Sequence, residues 1–305
     1  MTTFIFGHKS PDTDAIASAI AYAYLKKRLG EDIEAGRLGE INSETAYALD
    51  YFKKKKPQLI HDLQKDTPVI LMDHNERQQS IDGLENFRIK EIIDHHKIAN
   101  VETKEPIYFR TEPVGCTATI VYQLYKENGI EVPEQEAGMM LSAIISDTLL
   151  FQSPTTVEKD RQAAKELAAA AGVEIKTYGI SLLKAGTDWS ATKDDELVRT
   201  DMKDFDMKGW KVRIAQVNTA GVASVLNRRE ALFAKMEEAV QREAVDLYVL
   251  MITDVLQADS ILLAAGAGKA KAGEAFGKKL QDGAVELPGV ISRKKQVVPA
   301  LQQII

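Results

Sequence analysis

Short, almost wholly apolar segments alternate with helical periods in the first half of the chain. Thr3–Phe6 and Val69–Met72 have the nearly continuous apolar character of strands that are buried on both faces, and Ile89–Ile93, which contains Lys90 and Glu91 between its apolar residues, is a third predicted strand. Between the first two, residues 14–29 place apolar side chains one helical turn apart and end before Gly30, which predicts a helix. This alternation predicts an α/β fold, with a parallel sheet in the N-terminal domain and helices on both of its faces.

A polar stretch at residues 186–193 interrupts the pattern, and a second series of strands and helices follows it. We therefore expect an N-terminal domain at residues 1–187, a linker at 188–194, and a smaller C-terminal α/β domain at 195–305. Further helices are predicted at Ser43–Lys56, Gly115–Asn128, Glu134–Asp147, Val157–Ala171, Val222–Glu243 and Ala270–Leu280, and further strands at Ile33–Leu38, Trp210–Val217, Leu247–Thr253 and Ser260–Ala265.

Charge and composition exclude several functional classes. The formal net charge of −6 falls entirely in residues 1–187, which argues against binding to nucleic acid through bulk electrostatics. The single cysteine, Cys116, cannot form an internal disulfide or a cysteine-rich zinc site. The first residues lack a signal peptide, and no apolar run approaches the ~18 residues of a membrane span. We expect a soluble cytoplasmic protein with no membrane or nucleic-acid partner.

Acidic residues and histidines follow each of the three predicted strands Thr3–Phe6, Val69–Met72 and Ile89–Ile93. His8 comes directly after the first, Asp73 after the second, and Asp94 with His95 after the third. The carboxyl ends of parallel strands lie along one sheet edge, where ligands bind in open α/β folds. Asp147 ends an apolar helix, where the helix dipole disfavours a carboxylate unless a cation is close. The candidate metal ligands are His8, Asp12, Asp14, Asp73, His95 and Asp147.

This donor set contains oxygen and imidazole nitrogen but no sulfur. It suits Mn²⁺, Mg²⁺ or Co²⁺ better than a structural Zn²⁺ site, although Zn²⁺ stays open. Six side chains are enough for two ions that share one carboxylate and lower the pKa of a common water. Taken singly, Asp12 or Asp14 could cap a helix, and Asp73 or Asp94 could form a turn. Their convergence on one sheet edge favours the metal site.

The motifs together resemble those of a known family. Gly7–Asp14, Asp73-His74-Asn75, Asp94-His95-His96 and Ser146-Asp147 resemble the DHH phosphoesterase superfamily. With Ser292-Arg293-Lys294-Lys295-Gln296 near the C-terminus, the chain resembles a family II inorganic pyrophosphatase over essentially its whole length.

The resemblance implies hydrolysis of pyrophosphate to two phosphates in a cleft between two domains. It implies a homodimer formed through the N-terminal domain, two Mn²⁺ or Co²⁺ ions per subunit, and Mg²⁺ that accompanies the substrate. One ion would be held by His8, Asp12 and Asp73, and the other by Asp14, Asp73, His95 and Asp147. His96 would face the substrate as a proton donor or hydrogen-bond partner, and the phosphoryl groups would be bound by Lys203, Arg293 and Lys294.

Two other functions stay open at this stage. An exopolyphosphatase or another DHH phosphoesterase would use the same metal ligands and would differ in the second domain. A nuclease would need basic and aromatic residues along a strand path, whereas residues 188–305 have no net charge and few aromatic residues. A metal-dependent anion-binding protein without turnover would keep the basic residues of the second domain but would lack a pair of ions that activates water.

Overall fold

The structure, a computed structural model, describes residues 1–305, which divide into two units, Met1–Gly186 and Thr187–Ile305. The first unit contains, in chain order, β1 (Thr3–Phe6), α1 (Thr13–Arg28), β2 (Ile33–Arg37), α2 (Ser43–Tyr51), β3 (Gln58–Leu59), β4 (Pro68–Met72), β5 (Arg88–Asp94), β6 (Tyr108–Thr111), α3 (Thr117–Glu127), α4 (Glu134–Thr148), α5 (Glu158–Ala171) and α6 (Ile175–Gly186).

The six strands of the first unit form one wholly parallel sheet. Their order is β3-β2-β1-β4-β5-β6, so the apolar strands β1 and β4 lie at its centre. Helix α1 contacts β1, β2 and β4, and α3 contacts β5. On the other face, an apolar cluster of Phe6, Val69, Leu71 and Ile92 packs against Leu84, which lies in a short 3₁₀ helix. The predicted parallel sheet is confirmed.

The second unit is built on a mixed sheet of five strands, in the order β11-β10-β9-β8-β7, of which only β8 and β9 pair in parallel. Its elements are α7 (Asp194–Leu197), β7 (Lys203–Met207), β8 (Trp210–Thr219), α8 (Val222–Leu226), α9 (Arg229–Glu243), β9 (Leu247–Asp254), β10 (Asp259–Ala265), α10 (Lys269–Glu274), β11 (Ala284–Leu287), a π-helical turn at Arg293–Val297 and α11 (Val298–Ile304). Apolar cores lie on both faces of this sheet.

Several predicted boundaries are wrong for local reasons. The helix predicted from Ser43 to Lys56 ends at Tyr51, and Lys53 turns the chain away with a φ of 53°. Its N-cap is Asn42, whose side chain accepts a hydrogen bond from the Thr45 N–H. The helix predicted at 222–243 is two helices. The strands β3, β6, β7 and β11 were not predicted, because an edge strand lacks the apolar run of a central one.

None of the helices combines the length and the apolar character that crossing a lipid bilayer requires.

Candidate metal centre

The carboxyl-terminal edge of the first sheet collects histidines and carboxylates from three neighbouring strands. His8 follows β1, Asp73 follows β4, and His95 follows β5. Helix α1 begins beside them and brings two further acids, Asp12 at its N-cap and Asp14 in its first turn. Because β1, β4 and β5 are adjacent and parallel, residues far apart in the sequence meet at this edge.

Asp73 lies between two groups of donor atoms. Its Oδ2 is 3.5 Å from His8 Nε2, which is also 3.5 Å from Asp12 Oδ2. Its Oδ1 is 3.5 Å from His95 Nε2, which is 3.8 Å from Asp147 Oδ2. One Asp73 oxygen therefore faces each group, as a bridging carboxylate would.

The backbone at Asp73 is itself unusual. Its φ of 60° is left-handed, a conformation that a residue other than glycine adopts at a cost of about 1–3 kcal/mol. The Asp73 N–H still donates to Ile93 O at 2.9 Å, and the Thr117 hydroxyl donates to Asp73 Oδ1 at 2.9 Å. The sheet and the start of α3 together hold this carboxylate in place.

Asp14 is held by the N-terminus of α3. The N–H groups of Thr117 and Ala118 donate to its two oxygens at 2.6 and 3.0 Å, and the Ser18 hydroxyl donates at 2.5 Å. The positive end of the α3 dipole thus stabilises a buried carboxylate. These contacts orient Asp14 without any metal.

Asp12 combines the two functions that the sequence left as alternatives. Its Oδ1 accepts a hydrogen bond from the Ala15 N–H at 2.9 Å, which caps α1. Its Oδ2 points to His8, so the same side chain caps a helix and offers one oxygen to a cation. Capping and metal ligation are therefore compatible at this position.

Asp147 occupies the last turn of α4, which contains no basic residue. After Thr148 the chain passes through three left-handed residues, Leu149, Leu150 and Phe151, with φ values of 47°, 52° and 68°. The negative end of the α4 dipole therefore adds to the charge of Asp147, and a bound cation would relieve both.

The imidazoles are oriented by hydrogen bonds on their far nitrogens. His95 Nδ1 lies 3.0 Å from Val114 O, which leaves Nε2 for the carboxylates. His74 Nδ1 lies 2.9 Å from Met72 O, while its Nε2 is buried without a hydrogen-bond partner. Burial lowers the pKa of His74 to about 4, so this imidazole is neutral.

His96 is held differently, by the buried carboxylate of Asp94. Asp94 Oδ1 lies 2.9 Å from His96 Nδ1 and accepts from the His96 N–H, while its Oδ2 accepts from Asn75 at 2.6 Å. The hydrogen bond that His96 donates to Asp94 outweighs partial burial and raises the pKa of His96 to about 9. His96 is more than half exposed, so its Nε2 is available for a ligand outside the carboxylate cluster.

Electrostatics show that this cluster suits a cation. Burial, followed by the charges of neighbouring carboxylates, raises the pKa values of Asp73 and Asp147 well above their usual range. Burial opposes the charge on His8, but hydrogen bonds to Asp12 and Asp73 outweigh it and raise its pKa to about 10. Oxygen and imidazole donors around excess negative charge fit hard divalent ions such as Mn²⁺.

The sequence analysis missed one donor. The Sγ of the buried Cys116, together with carboxylate oxygens of Asp14 and Asp147, forms a group whose atoms all lie within 4.8 Å of one another. Burial and the nearby carboxylates raise the pKa of this thiol well above its usual range, so the neutral thiol is favoured. No sequence pattern signals this contact, because Cys116 comes from the segment before α3.

The three cations predicted in the second unit line one cavity of about 440 Å³, together with Gln216 and Ser292. Lys203 and Lys294 are exposed and make no side-chain hydrogen bond or ion pair. Arg293 is 7% exposed, and its Nη2 donates to both carboxylate oxygens of Asp201 at 3.0 and 2.9 Å. Its Nη1 donates to the carbonyl oxygens of Asp201 and Ile214. The Arg293 guanidinium is therefore already hydrogen-bonded to Asp201 and Ile214.

Comparison with known proteins identifies both units. Residues 2–144 match the DHH family, N-terminal domain, and residues 180–304 match the DHHA2 domain. The chain is 54% identical over 300 residues to a "probable manganese-dependent inorganic pyrophosphatase" of Bacillus licheniformis, covering 98% of this chain and 97% of that protein. It is 52% identical over 298 residues to the manganese-dependent inorganic pyrophosphatase of Bacillus subtilis, covering 97% and 96%.

A solved structure agrees with these relatives. A Methanococcus jannaschii protein assigned to the family II inorganic pyrophosphatases superimposes with a TM-score of 0.66 at 42% identity, covering 99% of this chain and 98% of that one. The sequence motifs, the two matched domains and the near-complete coverage agree, and the chain belongs to the family II inorganic pyrophosphatases of the DHH superfamily.

Proposed function

We propose that this chain hydrolyses inorganic pyrophosphate to two phosphates with Mn²⁺ as its metal. The observation that carries the proposal is the position of Asp73, with one oxygen facing His8 and the other facing His95. The names of the relatives, which are manganese-dependent inorganic pyrophosphatases, support the same reaction.

Two Mn²⁺ or Co²⁺ ions would be held in the two donor groups. His8, Asp12 and Asp73 would hold the first, and the ligands of the second would be Asp14, Asp73, His95 and Asp147. When bound, such a pair lowers the pKa of a shared water and makes it a nucleophile toward phosphorus. Two observations support this role for Asp14. Hydrogen bonds from the N-terminus of α3 orient its carboxylate, and one of its oxygens lies within 4.8 Å of a carboxylate oxygen of Asp147.

His96 would supply the proton for the leaving group. Attack on one phosphorus breaks its bond to the bridging oxygen, and this oxygen leaves on the second phosphate with a negative charge. A protonated His96 whose Nδ1 is held by Asp94 can donate from Nε2 to that oxygen. The buried Asp94 fixes the ring and stabilises its charge.

The cations of the second unit would bind the phosphoryl oxygens, with Mg²⁺ accompanying the substrate. Lys203 and Lys294 have free ammonium groups in the shared cavity, whereas Arg293 is held by Asp201. We propose that residues 195–305 act as the clamping domain, joined by the linker 188–194 to the metal-binding domain 1–187.

We also propose a cytoplasmic homodimer formed through the N-terminal domain, as the family resemblance implies.

Substrate choice tests the proposal against an exopolyphosphatase. With Mn²⁺ bound and Mg²⁺ present, phosphate release should be fastest from pyrophosphate, slower from tripolyphosphate, and absent from a short oligonucleotide. Phosphate release in a colorimetric assay measures all three. Faster turnover of tripolyphosphate would favour the polyphosphatase, and no turnover of any substrate would favour an anion-binding protein.

Lys294→Ala should weaken pyrophosphate binding without loss of metal. Removal of one charge-assisted hydrogen bond costs about 1.5–3 kcal/mol, which predicts a KM roughly 10- to 100-fold higher. The side chain is exposed and unpaired, so folding should not change. Lys295→Ala is the matched control, because Lys295 is also exposed but does not line the cavity. An equal rise in KM in both variants would contradict the assignment.

Mn²⁺ binding should release protons at neutral pH. Burial opposes the charge on His8, but hydrogen bonds to Asp12 and Asp73 raise its pKa to about 10, so the metal-free centre keeps a proton that ligation must remove. Affinity should therefore fall as the pH is lowered from 8 to 6. Calorimetric titration at one pH, in buffers of different ionisation enthalpy, counts the protons. A binding enthalpy that is independent of the buffer would contradict this prediction.

A further inference from the structure

A buried carboxylate outside the metal centre connects two of the segments that carry its ligands. Glu44 lies in the first turn of α2 and is 9% exposed. Its Oε1 accepts hydrogen bonds from the Thr13 hydroxyl at 2.6 Å and from the Ser146 hydroxyl at 2.5 Å. One oxygen atom thus joins the start of α1 to the end of α4.

The two hydroxyl donors are immediate neighbours of candidate ligands. Thr13 stands between Asp12 and Asp14, and Ser146 precedes Asp147. The contacts of these two hydroxyls with Glu44 therefore restrain the backbone that carries the carboxylates. The distance between the two segments therefore depends on an atom that belongs to neither of them.

The surroundings of Glu44 leave it little freedom. The Thr13 hydroxyl also lies 3.1 Å from the Thr45 hydroxyl, so α2 contacts α1 at two consecutive residues. A Cβ added at Gly186 would lie 2.9 Å from Glu44 Oε2 and 2.8 Å from its Cβ, so only glycine fits against it. Because Glu44 has little room to move, its Oε1 fixes the positions of the Thr13 and Ser146 hydroxyls that donate to it.

Burial of an acid beside an acidic site costs free energy, which favourable interactions of that acid must offset. The site already contains four carboxylates, and a fifth one nearby is unfavourable unless its hydrogen bonds are needed. A leucine or methionine would fill the same space without charge. The two hydroxyl contacts are what a carboxylate adds over an apolar side chain.

We propose that Glu44 is a positioning residue that sets the spacing between Asp12, Asp14 and Asp147 and thereby the Mn²⁺ affinity of the centre. The inference rests on the proposed metal centre but not on the identity of the substrate. Loss of the hydrogen-bond partner of a metal ligand typically lowers metal affinity by about 10- to 100-fold, and we expect the same range for Glu44, which acts through the neighbouring residues Thr13 and Ser146.

The test measures Mn²⁺ binding to metal-free protein by electron paramagnetic resonance. Glu44→Ala should lower the affinity by about 10- to 100-fold, and Ser146→Ala, which removes one of the two contacts, by less. Glu44→Gln should bind Mn²⁺ nearly as well as the wild type, because its amide oxygen still accepts from both hydroxyls. Rescue by glutamine separates positioning from a need for charge.

Ser142→Ala is the matched control for a general loss of stability. Ser142 lies one turn earlier on α4, and its buried hydroxyl donates to Gly138 O at 2.7 Å and contacts the Tyr178 hydroxyl at 2.6 Å. Its removal should lower the melting temperature by about 2–4 °C and leave Mn²⁺ affinity unchanged. Affinity losses in Ser142→Ala equal to those in Ser146→Ala would show that both report stability alone.

A double-mutant cycle completes the test. Because both side chains act through one contact, Glu44→Ala with Ser146→Ala should bind Mn²⁺ no more weakly than Glu44→Ala alone. Additive losses, or a Glu44→Ala protein within about twofold of wild type, would overturn the proposal. If Glu44→Ala does not fold, Ser146→Ala and Thr13→Val still test it. Wild-type protein that binds Mn²⁺ but leaves pyrophosphate intact would refute the proposed function without affecting this result.

Discussion

Asp73→Ala is expected to eliminate metal-dependent hydrolysis, with turnover reduced by more than about 10³-fold. The variant loses the one carboxylate whose oxygens face both donor groups, at 3.5 Å from His8 Nε2 and 3.5 Å from His95 Nε2. The effect should exceed the roughly 10- to 100-fold loss caused by removing an outer partner, because both proposed ions would lose a direct ligand. Phosphate release and the Mn²⁺ content of the purified protein measure the two losses.

The same variant should have the opposite effect on the metal-free protein. Burial and the charge of Asp14 raise the pKa of Asp73, so the ionised group destabilises the fold at pH values above its unfolded pKa. Metal-free Asp73→Ala should therefore melt no lower than metal-free wild type, while Mn²⁺ should no longer raise its melting temperature. Asp62→Ala, at an exposed aspartate, should behave as wild type in both respects. Near-normal hydrolysis by Asp73→Ala would contradict the interpretation that two metal ions share Asp73.

His96→Ala should reduce kcat by about 10²- to 10⁴-fold while Mn²⁺ stays bound. We propose that the exposed ring, which Asp94 holds through Nδ1, gives a proton, although one of its ring nitrogens also lies within 4.8 Å of donor atoms of Asp73 and His95. His95→Ala is the informative comparison, because its Nε2 faces Asp73 and Asp147 and its loss should release metal. Loss of Mn²⁺ in His96→Ala to the same extent would make His96 a ligand instead.

The pH profile separates these two roles further. Activity that depends on protonated His96 falls as the pH rises through its pKa, which is about 9 in the metal-free protein. Bound cations lower that value, so the basic limb of kcat should lie below pH 9 in the Mn²⁺ enzyme. The limb should disappear in His96→Ala and persist in His61→Ala, whose exposed histidine lies elsewhere. An unchanged basic limb in His96→Ala would contradict the proton-donor role.

Much of the fold could be predicted because the central strands are marked locally. β1 is apolar after Thr3, and β4 is continuously apolar with all five of its residues buried. The short strands β3 and β6 escaped prediction, since a strand at a sheet edge pairs on one side and needs no apolar run. In the second unit, the break between α8 and α9 could not be predicted from the sequence either, because the residues on both sides of it have helical composition.

In the candidate site, some contacts could be predicted from the sequence and others could not. The meeting of His8, Asp73 and His95 follows from the strand pattern alone, since parallel neighbours end at one edge. The engagement of Arg293 by Asp201 could not be predicted, because the two residues are 92 positions apart and only the packing of the second unit joins them. The thiol of Cys116 approaches Asp14 for the same kind of reason.

By itself, the order of residues determined which side chains arrive at the sheet edge and which chemistry they offer, because strand periodicity and strand ends are local properties. Only the tertiary structure decided which oxygen of Asp73 faces which histidine. It also decided that N–H groups of α3 donate to Asp14 and that Glu44 accepts hydrogen bonds from Thr13 and Ser146. These contacts join segments up to 104 positions apart. They depend on how helices pack on the sheet, which no periodicity along the chain specifies.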